Sequence, residues 1–285
     1  MSRNEARTAM KDRLDEGHKP HDISEATGTP RSSLYRLRKS PVPRRGKPSN
    51  DEPLNAILEL ARQYPTYGYR RITAMLRRQG LAVNHKRVLR IMSENNLLVV
   101  KRPKRALRTK THGRITAERP GALWGGDLTK ILTAQGWAYL VVYMDCYTRE
   151  IVSWCLSERC RTQETLTGLY EAVAARKPEG LTILTDNGPQ FTSRLYEGEL
   201  SSLGITHRRT AYNHPEANGM VERFFRSLKE EEVWQNEYES LAEARGRIGA
   251  WIMFYNKERP HMALGYRTPK EAYLEFKKEK QHAEV

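Results

Sequence analysis

The order of apolar segments after residue 120 constrains the fold more than any other feature of the sequence. Residues 123–133, 138–145 and 150–157 have the apolar content of β-strands, and 138–145 is apolar enough for a central, buried strand. A helical pattern over 163–177 and a short buried strand over 181–185 follow. Three strands in a meander, followed by alternating helices and strands, predict a mixed α/β sheet flanked by helices.

The rest of this domain continues the alternation. Residues 193–203 are predicted to form a helix that Ser193 caps, residues 205–208 a fifth strand, and a long helix follows the sequence HPEANG. Apolar residues at helical spacing give that last helix a buried face, and a polar stripe runs beside it. The polar stripe consists of Glu222, Arg226 and Lys229.

Positive charge is concentrated before the sheet. Residues 1–116 hold 27 lysines and arginines against 10 acidic residues, whereas the rest of the chain holds 22 against 24. This asymmetry indicates that the basic part of the chain binds a polyanion such as nucleic acid, and it disfavours a basic surface that serves only solubility. No apolar run approaches the ~20 residues of a membrane span, and the N-terminus lacks a signal-peptide pattern, so we expect a cytoplasmic protein without membrane contact.

Two linker-like stretches divide the chain. A proline-rich stretch precedes residue 54, and a basic stretch poor in apolar residues precedes residue 120. The predicted domains are therefore a helix-turn-helix-like segment, a helical DNA-binding domain, a basic linker and a catalytic core. Their expected boundaries are 1–40, 54–100, 101–119 and 120–275.

The sequence predicts a small all-α helix-turn-helix module in each of the two segments before the core. In the first, Gly28 ends one helix and a basic second helix begins near Arg31. In the second, Asn84 caps the last and most basic of three helices. Such helices suit the DNA major groove, although a helical packing module with a basic face gives a similar pattern. The predicted DNA contacts in these segments are Arg31, Arg36, Arg70, Arg71, Lys86, Arg87 and Arg90.

Three acidic residues fall where the predicted elements meet. Asp127 lies in the first strand, Asp186 ends the fourth strand, and Glu222 lies on the long helix. Carboxylates are the ligands that Mg²⁺ prefers, and two such ions can activate the attacking oxygen and stabilise the leaving oxygen in phosphoryl transfer. Grouped carboxylates without a metal would raise each other's pKa. Asp145, at the end of the second strand, is a weaker candidate ligand.

Several motifs in this order resemble the OrfB-type transposases of the insertion-sequence-three group, whose core is similar to that of retroviral integrases. They are YPTYGYRRI at 64–72, WGGDLT at 124–129, TDNGPQF at 185–191, HPEANGMVERFFRSLKEE at 214–231, which Glu232 follows, and YNKERPHMALGYRTPKEAY at 255–273. The resemblance covers roughly residues 54–275. It also matches the group's interval of 35 residues between the second and third acids.

The resemblance implies a ribonuclease-H-like catalytic domain in which Asp127, Asp186 and Glu222 bind two Mg²⁺ or Mn²⁺ ions. It implies hydrolysis at an element end, which frees a 3′-hydroxyl, and attack of that hydroxyl on another phosphodiester. Lys229 matches a basic residue near the DNA end, and Arg226 beside it is a further expected DNA contact.

The implied partners are double-stranded DNA, as element ends and as target, and further copies of the chain. An upstream protein of the same element, with a helix-turn-helix and a zipper, is another implied partner. The implied location is the nucleoid of a bacterial cell. We predict no zinc, since His18 and His21 have no CxxC pair after them. Two alternatives stay open, namely a catalytically silent DNA-binding regulator and a nuclease that cleaves without joining.

Overall fold

A computed structural model describes residues 3–38, 51–99, 117–210 and 219–283. They divide into two compact units, Met1–Glu52 and Pro53–Val285. Most of the predicted proline-rich linker, the basic stretch from 101 to 116 and most of the sequence HPEANG lie outside the described residues. Within the described residues, no helix is both long and apolar enough to cross a membrane.

The first unit contains three short helices. They are α1 (Arg3–Asp15), α2 (Pro20–Thr27) and α3 (Arg31–Arg38). Each contributes one buried apolar residue to a small core, namely Leu14, Ile23 and Leu34. Gly28 ends α2 with a left-handed φ of 69°, as the sequence predicts. The sequence does not predict helix α1, because its mostly polar residues give only a weak helical periodicity of apolar side chains.

Three further helices form a second helical module within the larger unit. They are α4 (Asp51–Gln63), α5 (Tyr69–Arg78) and α6 (His85–Glu94). Their apolar faces meet in one core that includes Ile57, Ile72 and Val88. The side chain of Asn84 accepts a hydrogen bond from the backbone N–H of Lys86, which confirms the predicted cap of α6.

The sheet has five strands, in the spatial order β3-β2-β1-β4-β5. The strands are β1 (Leu123–Thr133), β2 (Gly136–Asp145), β3 (Ile151–Ser157), β4 (Thr182–Thr185) and β5 (Thr206–Arg209). The first three pair antiparallel as a meander, and β4 and β5 are added parallel to β1. The predicted mixed five-stranded sheet is therefore confirmed.

Helices cover both faces of this sheet. They are α7 (Thr162–Arg176), α8 (Pro189–Thr192), α9 (Arg194–Ser202), α10 (Gly219–Glu231), α11 (Leu241–Lys257) and α12 (Pro269–Ala283). One core joins the sheet to α7 and α9, and another joins the opposite face to α10 and α11. Ser193 caps α9 by accepting a hydrogen bond from Tyr196 N–H, as predicted.

Helix α10 is held to the sheet by its apolar stripe. The four residues of this stripe, all buried, are Val221, Phe224, Phe225 and Leu228. Glu222 and Arg226 are exposed beside it, and Lys229 is half-buried. The sequence-predicted division of this helix into a core face and a polar face is thus present, and it fixes the side of α10 from which Glu222 projects.

Candidate active site and its connection to the helical module

Asp127 lies within β1, opposite Val142 of the antiparallel strand β2. Its carboxyl group is half-buried, and Oδ1 accepts a hydrogen bond of 2.7 Å from the backbone N–H of Leu128. The pairing with β2 continues on either side of Asp127 along the strand, whereas the pairing of β1 with β4 ends at Gly125. The position of Asp127 is therefore set by the sheet and not by a loop.

Asp186 directly follows β4, in a turn that its own carboxylate helps to form. Oδ1 accepts a hydrogen bond of 2.9 Å from Gly188 N–H, and the Asn187 amide donates to the carbonyl of Thr210 at 2.8 Å. A Cβ at position 188 would collide with the Gln190 side chain and lie 3.0 Å from Asp186 Oδ1. An alanine here would displace the end of the Gln190 side chain and press on the Asp186 carboxylate, although the φ of Gly188 is ordinary.

The electrostatics of Asp127 connect the three predicted acids. Burial is the largest influence and raises the pKa of Asp127 to about 7. This value already includes the negative charges of Asp186 and Glu222, which raise the pKa, and the hydrogen bond from Leu128 and the positive charge of Lys229, which lower it. Residues from β1, from the end of β4 and from α10 therefore lie within electrostatic range of one another.

The chemistry of these donors suits a hard divalent cation, because all three are carboxylates and two of them destabilise the charge of the third. Their spacing is a separate matter. Within the described residues, no three His, Cys, Asp or Glu side chains are close enough to hold a metal ion between them. The three acids are thus neighbours around one region, but they are not gathered into a finished metal cage.

Asp145, the weaker candidate, has a structural environment. It is only 4% exposed. Its carboxylate accepts hydrogen bonds from the backbone N–H groups of Gly121, Tyr147 and Thr148, at 2.7, 3.0 and 2.8 Å. The bonds from Tyr147 and Thr148 close the turn between β2 and β3, and the bond from Gly121 ties that turn to the segment before β1. They leave Asp145 a strand-end residue rather than a metal ligand.

The predicted DNA contacts are mostly accessible side chains. Those that are exposed are Arg31, Arg70, Lys86, Arg90 and Arg226, and those that are half-buried are Arg87 and Lys229. Arg70 lies over the Tyr69 ring, and Arg90 pairs with Glu94 at 3.7 Å. The side chain of Arg36 lies outside the described residues. That these residues touch DNA stays a prediction.

Arg71 departs from this set. Its guanidinium lies 4.3 Å from the centre of the Tyr67 ring and 3.4 Å from the Glu231 carboxylate at the end of α10. Burial lowers the pKa of Arg71, as expected for a guanidinium drawn out of water. The Arg71 side chain is thus engaged by Tyr67 and Glu231, and that it also touches DNA stays a prediction.

The main partner of Glu231 is a residue to which sequence reasoning assigned no role. Arg259 is 4% exposed and binds the Glu231 carboxylate through two nitrogens, at 2.8 and 2.6 Å. It also donates to the hydroxyl of Ser227, one turn earlier on α10. Arg259 belongs to one of the motifs quoted above, but its burial could not be read from the letters alone.

Three family models match the chain. The "Integrase core domain" models cover residues 117–215 and 203–269, and the "HTH-like domain" model covers residues 48–105. The first two overlap the sheet and the helices α10 and α11, and the third overlaps the module α4–α6. The predicted ribonuclease-H-like fold class and the helical module are thereby confirmed.

Relatives of known name match over most of their length. The transposase for insertion sequence element IS904 of Lactococcus lactis is 31% identical over 72% of this chain and 86% of its own. Transposase InsD for insertion element IS2 of Escherichia coli is 30% identical over 80% of both chains. The catalytic core domain of BIV integrase is 25% identical, with a TM-score of 0.45 over 56% of this chain and 99% of its own.

The matches to the two bacterial transposases extend over 221 and 242 residues, which is more than the sheet domain alone. The matched models have the same order along the chain as the predicted modules. The chain therefore belongs to the insertion-sequence transposases of the insertion-sequence-three group, with an HTH-like domain followed by an integrase core domain.

Proposed function

We propose that this protein is a DNA transposase that binds the ends of its insertion sequence, cleaves a strand there and joins the freed end to another DNA. The observation that carries the proposal is the meeting of Asp127, Asp186 and Glu222 around one region of an integrase-type core. Family membership supports the polynucleotidyl transfer, and the three acids supply a location for it on this chain.

In this proposal Asp127, Asp186 and Glu222 are the catalytic residues that hold two Mg²⁺ or Mn²⁺ ions. Bound divalent ions would supply charge neutralisation and activation of an attacking oxygen. Asp127 and Asp186 are the fixed side of the site, because the sheet and the Gly188 turn set their positions. Glu222 is exposed, so its side chain is free of packing constraints and can close the site.

Lys229 is two turns along α10 from Glu222, on the same stripe. Its positive charge already acts on Asp127, so it lies near the region where a phosphodiester would react. We assign it to the DNA end, with Arg226 between the two. The helical module and its exposed Lys86 would then contact duplex DNA further from the cut.

Partners follow from the same proposal. The substrates are double-stranded DNA as element end and as target, and the chain acts as an oligomer that holds two ends. A zipper-containing upstream protein of the same element is a further proposed partner. We also propose that the protein works on the bacterial nucleoid.

The test is a cleavage and joining assay with a labelled element end in Mg²⁺ or Mn²⁺. Asp127→Asn, Asp186→Asn and Glu222→Gln are each expected to abolish nicking and joining while DNA binding persists. Glu237→Gln, at an exposed glutamate beyond the end of α10, removes one charge outside the acid trio and serves as the control.

The alternatives give different results. DNA binding with no cleavage by the unsubstituted protein would indicate a catalytically silent regulator. Cleavage without joined products would indicate a nuclease. Cleavage that survives any of the three acid substitutions would remove that residue from the proposed metal site.

A further inference from the structure

Helix α10 is tied to the helical module by a charged cluster that we call the joint, defined as Arg71, Glu231 and Arg259. The Arg71 side chain is 29% exposed, and the other two are buried. Arg71 comes from α5 of the module, Glu231 from the last turn of α10, and Arg259 from the segment after α11. One carboxylate therefore receives guanidinium groups from both sides, at 3.4 Å from Arg71 and at 2.6 and 2.8 Å from Arg259.

The joint is more than a surface ion pair. The side chains of Arg259 and Glu231 are 4% and 9% exposed, so solvent screens their attraction little. The two parallel N–H···O bonds of Arg259 fix the direction of the Glu231 carboxylate. Removing one partner of a buried pair of this geometry strongly destabilises the folded protein, whereas an exposed pair contributes little to its stability.

Aromatic contacts extend the joint across the same boundary. Tyr67 and Tyr64 of the module stack with their ring centres 4.8 Å apart, and Tyr64 stacks on Phe254 of α11 at 5.4 Å. A second polar connection lies further along α5, where Arg78 binds the Glu271 carboxylate and the Tyr266 carbonyl. The module is therefore fixed to the core at two places along α5.

The helix held by the joint is the helix that carries Glu222 and Lys229. Glu222 and Glu231 are nine residues apart on α10, which is about 14 Å along its axis. Because the buried stripe of α10 is packed on the sheet, α10 holds Glu231 and Glu222 in a fixed relation to each other and to the core. DNA held by the module is thereby connected to the proposed catalytic region through α10, supported by the contacts of the module with Phe254 and Glu271.

We infer that the joint sets which phosphodiester is cut, by fixing the distance and angle between the DNA-binding module and the proposed catalytic residues. Its three members are positioning residues, since none of them is placed at the reacting atoms. This inference rests on the proposed function. It assigns to Arg71, Glu231 and Arg259 a role in the accuracy of cleavage that is separate from metal binding and from DNA binding.

Arg71→Met tests the inference most directly. It removes the module's charged contribution and keeps an aliphatic side chain against Tyr67, while the Arg259–Glu231 pair stays intact within the core. Arg62→Met is the matched control, because Arg62 is an exposed arginine on α4 of the same module. Both variants lose one positive charge, so a general loss of affinity for DNA would affect them equally.

Three quantities are measured for each protein: affinity for a labelled element end, nicking of a duplex without an element end in Mn²⁺, and the position and rate of the cut at the element end. We expect Arg71→Met to match Arg62→Met in the first two. We expect it to cut the element end roughly 10–100-fold more slowly and at neighbouring phosphodiesters, because small misplacements of reacting groups are costly.

An Arg71→Met protein that cuts at the same position and rate as Arg62→Met would overturn the inference. A loss of element-end affinity in Arg71→Met alone would also overturn it, and would indicate that Arg71 contacts DNA. Absence of cleavage by the unsubstituted protein, by contrast, would refute the proposed function itself.

Phe254→Leu provides the same test if Arg71→Met does not fold. It weakens the stack on Tyr64 without removing a charge or a hydrogen bond. The expected result is again a shifted and slower cut with unchanged nicking of the duplex that lacks an element end, and an unchanged cut would count against the inference.

Discussion

The histidine beside the joint should make the larger unit sensitive to mild acid. His261 is buried, and burial lowers its pKa from an ordinary value of 6.5 to about 3. The positive charges of Arg259, Arg71 and Arg149 act in the same direction, and a hydrogen bond to the Tyr255 backbone opposes them. The ring is therefore neutral in the folded protein, and its Nε2 is buried and has no hydrogen-bond partner among the described residues.

The sign of the effect follows from proton uptake. Between pH 7 and pH 5 the unfolded chain binds a proton on this imidazole, whereas the folded protein does not. Protonation therefore favours the unfolded state, and stability is lost as the pH falls below 6.5. With pKa values of 6.5 and about 3, the free energy of unfolding should fall by about 2 kcal/mol between pH 7 and pH 5 from His261 alone.

The assay is urea unfolding of the unsubstituted protein and of His261→Asn, followed by tryptophan fluorescence at both pH values. Asparagine retains an N–H donor for the Tyr255 carbonyl but does not titrate. We expect His261→Asn to lose about 2 kcal/mol less than the unsubstituted protein on acidification. His85→Asn, at an exposed histidine, is the control. Equal losses for His261→Asn and the unsubstituted protein would refute the reasoning.

Three further outcomes are expected. Arg259→Met should lower the free energy of unfolding by about 3–5 kcal/mol in urea titrations, because the buried Glu231 carboxylate loses both hydrogen bonds from Arg259. A change below 1 kcal/mol would contradict a structural role for Arg259. Asp127→Asn should raise the stability of the metal-free protein at pH 8 by as much as about 4 kcal/mol, because the carboxylate whose pKa is raised to about 7 is ionised there at a cost; a less stable variant would show that the charge is well solvated. Gly188→Ala should slow element-end cleavage about tenfold with unchanged DNA affinity, because its methyl group displaces Gln190 and the Asp186 carboxylate, and unaltered cleavage would show that the turn adapts.

The sheet and its helices could be predicted from the sequence because their signals are local. Strand β1 has the predicted bounds, and the caps Asn84 and Ser193 act where their residue types suggest. The buried stripe of α10 follows directly from helical spacing. Helix α1 could not be predicted, since few apolar residues mark its inner face.

Pairings across long sequence distances could not be predicted. Arg71 and Glu231 are 160 residues apart, and an arginine beside a basic helix is most simply taken as a DNA contact. The same limit applies to the three acids. Their elements could be predicted, and with them the shared region, but the separation of the carboxyl groups depends on side-chain positions that no spacing rule specifies.

The packing of α10 also explains the choice of side chain at position 222. Rolling the helix toward the sheet would pull Phe224 and Leu228 out of their contacts, so the backbone of α10 is held in place and cannot move the Glu222 carboxylate. Reach must come from the side chain, and glutamate is one methylene longer than aspartate. An aspartate at position 222 would keep the charge on this helix and place its carboxyl group one methylene closer to the α10 backbone.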